Sequence, residues 1–253
     1  MKKIRVGIVN YLNTRPLLYG IRRSDLMKEI ELYEDYPSKV AGALLSGEID
    51  LGLVPVAIIP KMEQHYIVSD YCIGCDGEVA SVCLFSEVPL GEVTEVLLDY
   101  QSRTSVELTK ILLKDFWKVQ PKLVSATSDF RDHIRGTTAG LVIGDRSLEQ
   151  RSISRYIYDL GLAWKSYTGL PFVFAAWISN KQIGEDFIRR FNEANALGLS
   201  LLPQVIEEIS CKHIDLHEYY TRHIQYTLDA VKKSAMNVFL EKLEKERALV
   251  NQP

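Results

Sequence analysis

Apolar residues in the first hundred positions fall into short blocks separated by amphipathic stretches, the alternation that predicts strands joined by helices in an α/β fold. Ile4 to Val9 reads as a strand that ends at the polar run Asn10 to Asn13. Thr14 stands where it can cap a helix beginning near Pro16, since proline suits a first turn. Ile30 to Tyr36 reads as a second strand, and Pro37-Ser38 opens a helix with Val40, Ala41, Leu44 and Leu45 on one face, stopping near Gly47. Ile49 to Val54 and Ala80 to Phe85 are further strands, and Ser86 to Pro89 reads as a loop. A second α/β set follows, with strands at Val96 to Leu98, Lys122 to Ser125, Ala139 to Ile143 and Phe172 to Ile178. From Gly184 onward the pattern is helical, with a face of Phe187, Ile188, Phe191, Ala194 and Asn195 and a last amphipathic helix over Leu228 to Leu243.

These elements predict two α/β lobes with mixed, mainly parallel sheets and a central cleft. Residues 1–85 and 175–253 form a discontinuous lobe I, and residues 86–174 form an inserted lobe II. The chain then crosses near Phe85 and again near Phe174. Ligands of open α/β sheets sit beyond the carboxyl ends of strands. The polar clusters at Asn10 to Asn13, Ser81, Ser102 to Ser105 and Asp145 all fall near strand ends, so a cleft gathers them around one small molecule. The sharpest of these clusters follows the strand at Leu98. Thr104 and Glu107 have capping-box spacing, and the helix they open has N–H groups suited to an anion, with the hydroxyls of Ser102, Thr104 and Ser105 beside Arg103. An ordinary capped helix has the same pattern, so the cluster gains weight only beside the others.

Composition narrows the function classes. The 253 residues carry a formal net charge of −3 and no Lys/Arg-rich block, so neither nucleic acid nor an anionic membrane is an expected partner. No apolar run approaches the ~20 residues of a membrane span. The basic residues Lys2, Lys3 and Arg5 precede too short an apolar run for a secretory signal, which predicts a cytoplasmic protein. Four cysteines are too few for a disulfide framework, and Cys72-Ile-Gly-Cys75 lacks a second half-site, so two buried thiols are expected and no metal. His213, His217 and His223 read as solvated groups of a late polar helix.

Five ordered motifs together resemble the chorismate dehydratase family. They are VGIVNYLNTRPL (Val6 to Leu17), GEVASVCLFS (Gly77 to Ser86), SRTSV (Ser102 to Val106), IGD (Ile143 to Asp145), and YDLG (Tyr158 to Gly161) running through Trp164 to TGLPFVF (Thr168 to Phe174). The resemblance extends from Ile4 to about Ile178, and the C-terminal helices match only in length and character. It implies the two-lobe fold of type II periplasmic binding proteins and the elimination of water from chorismate to give 3-enolpyruvylbenzoate, in the futalosine route to menaquinone, with no cofactor. It also implies Asn13 and Ser81 as hydrogen-bonding groups near the reacting ring. Read from the residues alone, Asn13 is a cap or turn residue and Ser81 a sheet hydroxyl.

Three readings stand for Asp145: a helix cap, the general acid/base of the cleft, or a hydrogen-bond acceptor there. Loss of the ring hydrogen is eased by conjugation and aromatisation, so the substrate's enolpyruvyl carboxylate is the other candidate proton acceptor. Arg103 either pairs with a substrate carboxylate or ties the lobes together through Asp99 or another acid. Tyr11, between two asparagines, is expected in the cleft, whereas Tyr158, Trp164 and Phe172 divide between cleft wall and core. The expected assembly is a monomer or homodimer. Rival readings are a naphthoate-forming enzyme of the same pathway and a protein that binds a small carboxylate without changing it.

Overall fold

The computed structural model describes residues 3–250, so residues 1–2 and 251–253 of the expected first lobe lie outside the described residues. In chain order the elements are β1 (Ile4–Val9), α1 (Arg15–Arg23), β2 (Ile30–Asp35), α2 (Pro37–Leu45), β3 (Leu51–Pro55) and β4 (Tyr66–Cys75). There follow β5 (Val82–Ser86), β6 (Glu95–Leu98), α3 (Thr104–Ile111), β7 (Lys122–Ser125), β8 (Thr138–Ile143) and α4 (Asp145–Arg151). The chain continues with β9 (Tyr156–Asp159), α5 (Leu160–Thr168), β10 (Phe172–Ser179), α6 (Glu185–Ser200) and α7 (Leu202–Glu207). It closes with the single turn α8 (Leu216–Glu218), β11 (Gln225–Thr227) and α9 (Ala230–Val250).

The strands form two sheets, one of six strands in the order β11-β4-β10-β3-β1-β2 and one of five in the order β7-β6-β8-β5-β9. Parallel pairing is confined to β2-β1-β3 and β7-β6-β8. The remaining pairs are antiparallel, so the sheets are mixed and less parallel than the helix–strand alternation suggests. The reason lies in the crossings. A strand that arrives directly from the other sheet, with no helix to turn it round, enters against the local direction, as β5 does; β10, which follows α5, also runs antiparallel to both its neighbours.

The chain leaves the larger sheet after Cys75 and joins the smaller at Val82, then returns between Asp159 and Phe172. The crossings expected near Phe85 and Phe174 therefore come earlier, and those two residues lie inside β5 and β10. The outgoing crossing is fixed by a buried carboxylate. Asp159 caps α5 by accepting from Leu162 N at 3.0 Å, and it also accepts from Val79 N at 3.1 Å and Ala80 N at 2.8 Å. Ala80 is held there at φ 61°, a conformation a non-glycine residue seldom adopts unaided.

One cluster of buried apolar side chains runs through both sheets, from Val6 and Ile8 in β1 to Leu84 in β5, Leu141 in β8 and Trp164 in α5. The last helix joins the two sides. Phe239 packs edge-on to Trp164, with ring centres 6.1 Å apart, while Lys242 reaches Tyr167 Oη at 2.9 Å and Lys114 pairs with Glu246 at 2.7 Å. Cys72 and Cys75 are buried free thiols of β4, as expected, and burial pushes the Cys72 thiol up to about 12. Among the histidines, His223 departs from the solvated reading: it is buried, with Nδ1 3.2 Å from Glu78 O.

Helix α1 carries the polar end of β1 into the site, and its position depends on an intimate crossing with α6. A Cβ on Gly198 would lie 1.8 Å from Pro16 O, and one on Gly20 would lie 1.9 Å from Ala194 O. Backbone on both sides leaves nothing soft to yield. Gly198→Ala is expected to destabilise the fold by about 3 kcal/mol or more, read as a fall in Tm, because two helices must separate to admit one methyl group.

Candidate functional site

A cleft open on one side lies where the two sheets present their strand ends to each other. Its wall takes Val9, Tyr11, Asn13 and Thr14 from the end of β1, Pro37 from α2, and Leu53 and Pro55 from β3. Val79 and Val82 contribute from the outgoing crossing, Ser102, Thr104 and Ser105 from the start of α3, Ile143 and Gly144 from the end of β8, and Phe174 and Ala175 from β10. No lining residue is charged. The wall is mainly apolar, with a few hydroxyls and one amide as its side-chain polar groups.

Local sequence explains these positions. Thr14 precedes α1 but does not cap it; its Oγ1 turns back to Val9 O and, at 2.8 Å, to Tyr11 O, closing the turn that carries Asn13. Asn13 Oδ1 is buried with no hydrogen-bond partner, and Asn13 O accepts from Tyr226 Oη at 2.8 Å. An uncompensated buried amide oxygen is costly, so it marks a place where a donor is expected to arrive. Tyr11 Oη donates to Gln101 Oε1, and burial, followed by the Asp99 charge, holds its phenol well above the ordinary value.

The start of α3 differs from a capping box. The helix begins at Thr104 itself, with Arg103 at the cap position, and no Thr104–Glu107 capping pair forms. Ser102 Oγ does the capping instead, accepting from Ser105 N at 3.1 Å. Thr104 Oγ1 accepts from Ala57 N at 3.2 Å and so joins α3 to the segment after β3, while Glu107 pairs with Lys110 at 3.1 Å. The spacing of Thr104 and Glu107 was consistent with a box, but a long-range donor took the threonine. The shape of the anion-binding end survives: the first turn of α3 and three hydroxyl residues lie on the cavity wall.

Arg103 is not on that wall, and its Nε is buried without a partner. It does not bind Asp99. Arg146 does, with Nη2 at 2.8 Å from both carboxylate oxygens, and Asp99 also accepts from Gln101 N at 3.0 Å and Ile143 N at 3.0 Å. Arg146, which sequence reading passed over, thus ties the ends of β6 and β8 together behind the wall at Ile143 and Gly144.

Asp145 and Ser81 lie close to the cavity without lining it. Asp145 accepts from Leu12 N at 2.9 Å across the two sheets, and burial pushes its carboxyl above the ordinary value against the pull of that N–H. Ser81 is fully buried; its Oγ accepts from Tyr219 Oη at 2.7 Å and lies 3.4 Å from Val79 O. It sits at the start of β5, not at a carboxyl end. Antiparallel pairing of Val82 with Ile143 nevertheless brings that start beside the end of β8, where Gly144 N donates to Ser81 O at 2.8 Å. Of the other aromatic candidates, Trp164 and Phe172 are core, and the Tyr158 hydroxyl accepts from Leu90 N at 2.8 Å; Phe174 is the aromatic that reaches the cavity beside Tyr11. Among the described residues no group of three or more His, Cys, Asp or Glu side chains is placed to hold a metal ion. Among the described residues no helix is long and apolar enough to cross a membrane.

Gly144 sits at φ 66°, and a Cβ there would lie 2.6 Å from the Tyr11 ring. Gly144→Ala is expected to displace Tyr11 from the wall and to weaken ligand binding at least tenfold by calorimetry, with a smaller loss of stability of about 1–2 kcal/mol from the strained backbone.

The family model described as "Menaquinone biosynthesis" matches residues 4–245. A chorismate dehydratase of Thermus thermophilus is 26% identical to the chain over 267 aligned positions that cover 96% of each protein. Among solved structures, a protein from Archaeoglobus fulgidus superposes with a TM-score of 0.77 at 14% identity, covering 98% of both chains. The periplasmic aliphatic sulphonate binding protein of Escherichia coli superposes with a TM-score of 0.60 at 16% identity, covering 100% of this chain and 94% of that one. These likenesses establish the fold as that of periplasmic binding proteins, with two mixed sheets about a cleft. The match along nearly the whole chain places the protein in the menaquinone-biosynthesis family.

Proposed function

We propose that the chain is a chorismate dehydratase, a lyase that removes water from chorismate to give 3-enolpyruvylbenzoate for menaquinone synthesis. The observation that carries this reading is the pairing, in one uncharged cavity, of the unpartnered Asn13 amide with the hydroxyl-rich start of α3. Chorismate carries two carboxylates and a ring hydroxyl on an apolar frame. The start of α3 holds one carboxylate through N–H groups and hydroxyls, each such bond contributing about 1.5–3 kcal/mol. The apolar walls from Val9, Leu53, Val82 and Phe174 flank the ring. Asn13 and Ser81 orient the leaving hydroxyl and the enolpyruvyl arm.

The elimination breaks the C–H bond at the ring carbon bearing the enolpyruvyl ether and the C–O bond to the neighbouring hydroxyl. The C–H electron pair enters the ring, which becomes aromatic, and the proton and the departing hydroxide leave together as water. Asp145 is already engaged by Leu12 N, which favours the substrate's own enolpyruvyl carboxylate as the proton acceptor. Asp145 then acts as a strut between the sheets.

Incubation of the purified protein with chorismate, followed by mass spectrometry, is expected to yield a product lighter by one water. Unchanged chorismate with a folded protein would overturn the reading in favour of the naphthoate-forming enzyme or of a binding role. Asp145→Asn keeps an acceptor for Leu12 N and is expected to hold kcat within about fivefold; near-total loss with intact binding would make Asp145 the base. Thr104→Val should raise KM roughly tenfold while Thr104→Ser, which keeps the acceptor for Ala57 N, stays close to wild type.

A further inference from the structure

The C-terminal segment after α8 forms a π-helical turn, Tyr219–His223, and then β11. The wider turn places two neighbouring tyrosines, Tyr219 and Tyr220, in the interior together, 0% and 2% exposed. Both ends of the turn grip the outgoing crossing: Tyr219 Oη donates to Ser81 Oγ at 2.7 Å, and His223 Nδ1 lies 3.2 Å from Glu78 O. Three residues on, Tyr226 Oη donates to Asn13 O at 2.8 Å. One short segment, remote in sequence from the cleft motifs, thus bonds to both residues assigned to orient the reacting ring.

We propose that Tyr219 and Tyr226 are positioning residues of the dehydratase, Tyr219 by orienting and polarising the Ser81 hydroxyl and Tyr226 by fixing the Asn13 backbone. This rests on the dehydratase reading. The hydrogen-bond lengths give the physical reason. The bond that Ser81 receives is short, whereas the one available to its own proton, at 3.4 Å to Val79 O, is at the outer limit of useful geometry. The Ser81 proton is therefore weakly held and can turn toward an acceptor on substrate. Donation from Tyr219 draws electron density from Oγ, and in a buried chain of hydrogen bonds that makes Ser81 a stronger donor to a departing hydroxyl. Burial holds the Tyr219 phenol well above its ordinary value, so it remains a donor across the working pH range. Tyr226 plays a plainer part: its bond to the Asn13 carbonyl fixes the main chain from which the unpartnered amide projects.

The test measures chorismate turnover by Tyr219→Phe, Ser81→Ala and the double variant, with Tm as the control for folding. Tyr219→Phe is expected to lower kcat roughly tenfold with KM within about twofold, and to cost nothing further in the Ser81→Ala background. Fluorinated tyrosines at position 219 keep the hydroxyl and sharpen its donor strength, so kcat should rise with phenol acidity, which a purely structural role would not produce. The Tyr226→Phe and Asn13→Ala pair is expected to show the same non-additivity. A wild-type kcat in Tyr219→Phe, additive losses in the double variant, or a flat fluorotyrosine series overturns the proposal. Absence of turnover by the wild-type protein overturns the underlying reading instead, and this one with it.

Discussion

The buried carboxylate of Asp159 is the constraint on which the arrangement of the site depends. It terminates β9, caps α5, and receives the N–H groups of Val79 and Ala80 from the strand-to-strand crossing. A carboxylate 8% exposed is tolerable only because several donors converge on it. Their convergence sets the crossing in one conformation, with Ala80 at φ 61° and Ser81 turned to the interior. From Ser81 the order propagates: its carbonyl takes Gly144 N, which lies under the Tyr11 ring, and its hydroxyl takes Tyr219. A flexible connection between two sheets would give none of this.

The cavity itself manages charge without presenting any. A doubly anionic ligand among uncharged lining residues must be met by oriented dipoles, and the start of α3 supplies them with little reorganisation on binding. The cation nearest in role, Arg146, is already committed to Asp99 and braces the wall. An unpaired arginine in the cavity would hold the substrate more tightly in its ground state and would also stabilise it there. Neutral donors give orientation with less of that ground-state attraction, which suits a reaction that needs a positioned hydroxyl more than a clamped acid.

Much of the fold was legible because period and punctuation agreed. Ile4–Val9 is the strand expected, Lys122–Ser125 likewise, and Pro37 opens its helix as its fixed φ allows. The strands that escaped were those whose pattern is ambiguous. The stretch Tyr66–Cys75 mixes apolar and polar residues with no clean alternation, because it lies between β10 and the short β11 and is buried on parts of both faces. β11, of three residues, is too short to carry a period, and β9 is a half-exposed Tyr156-Ile-Tyr-Asp159 run with no apolar block to mark it. Cap chemistry failed differently: Thr104 and Glu107 satisfied a local rule that Ala57, forty-seven positions away, overrode.

The sequence by itself determined which segments form the cleft: Tyr11, Asn13, Ser102, Thr104 and Ser105 all line it, because polar groups following apolar strands lie at strand ends whatever the topology. Only the tertiary structure decided what those groups do. It gave Asp99 to Arg146 and left Arg103 off the wall, it engaged Asp145 with Leu12, and it brought Tyr219 and Tyr226 onto Ser81 and Asn13 from 138 and 213 residues away. The physical reason is the range of the two effects. Burial preference and helix punctuation act over a few residues and are written in local order, whereas a hydrogen-bond partner is chosen by whichever group the finished packing brings within 3 Å or so.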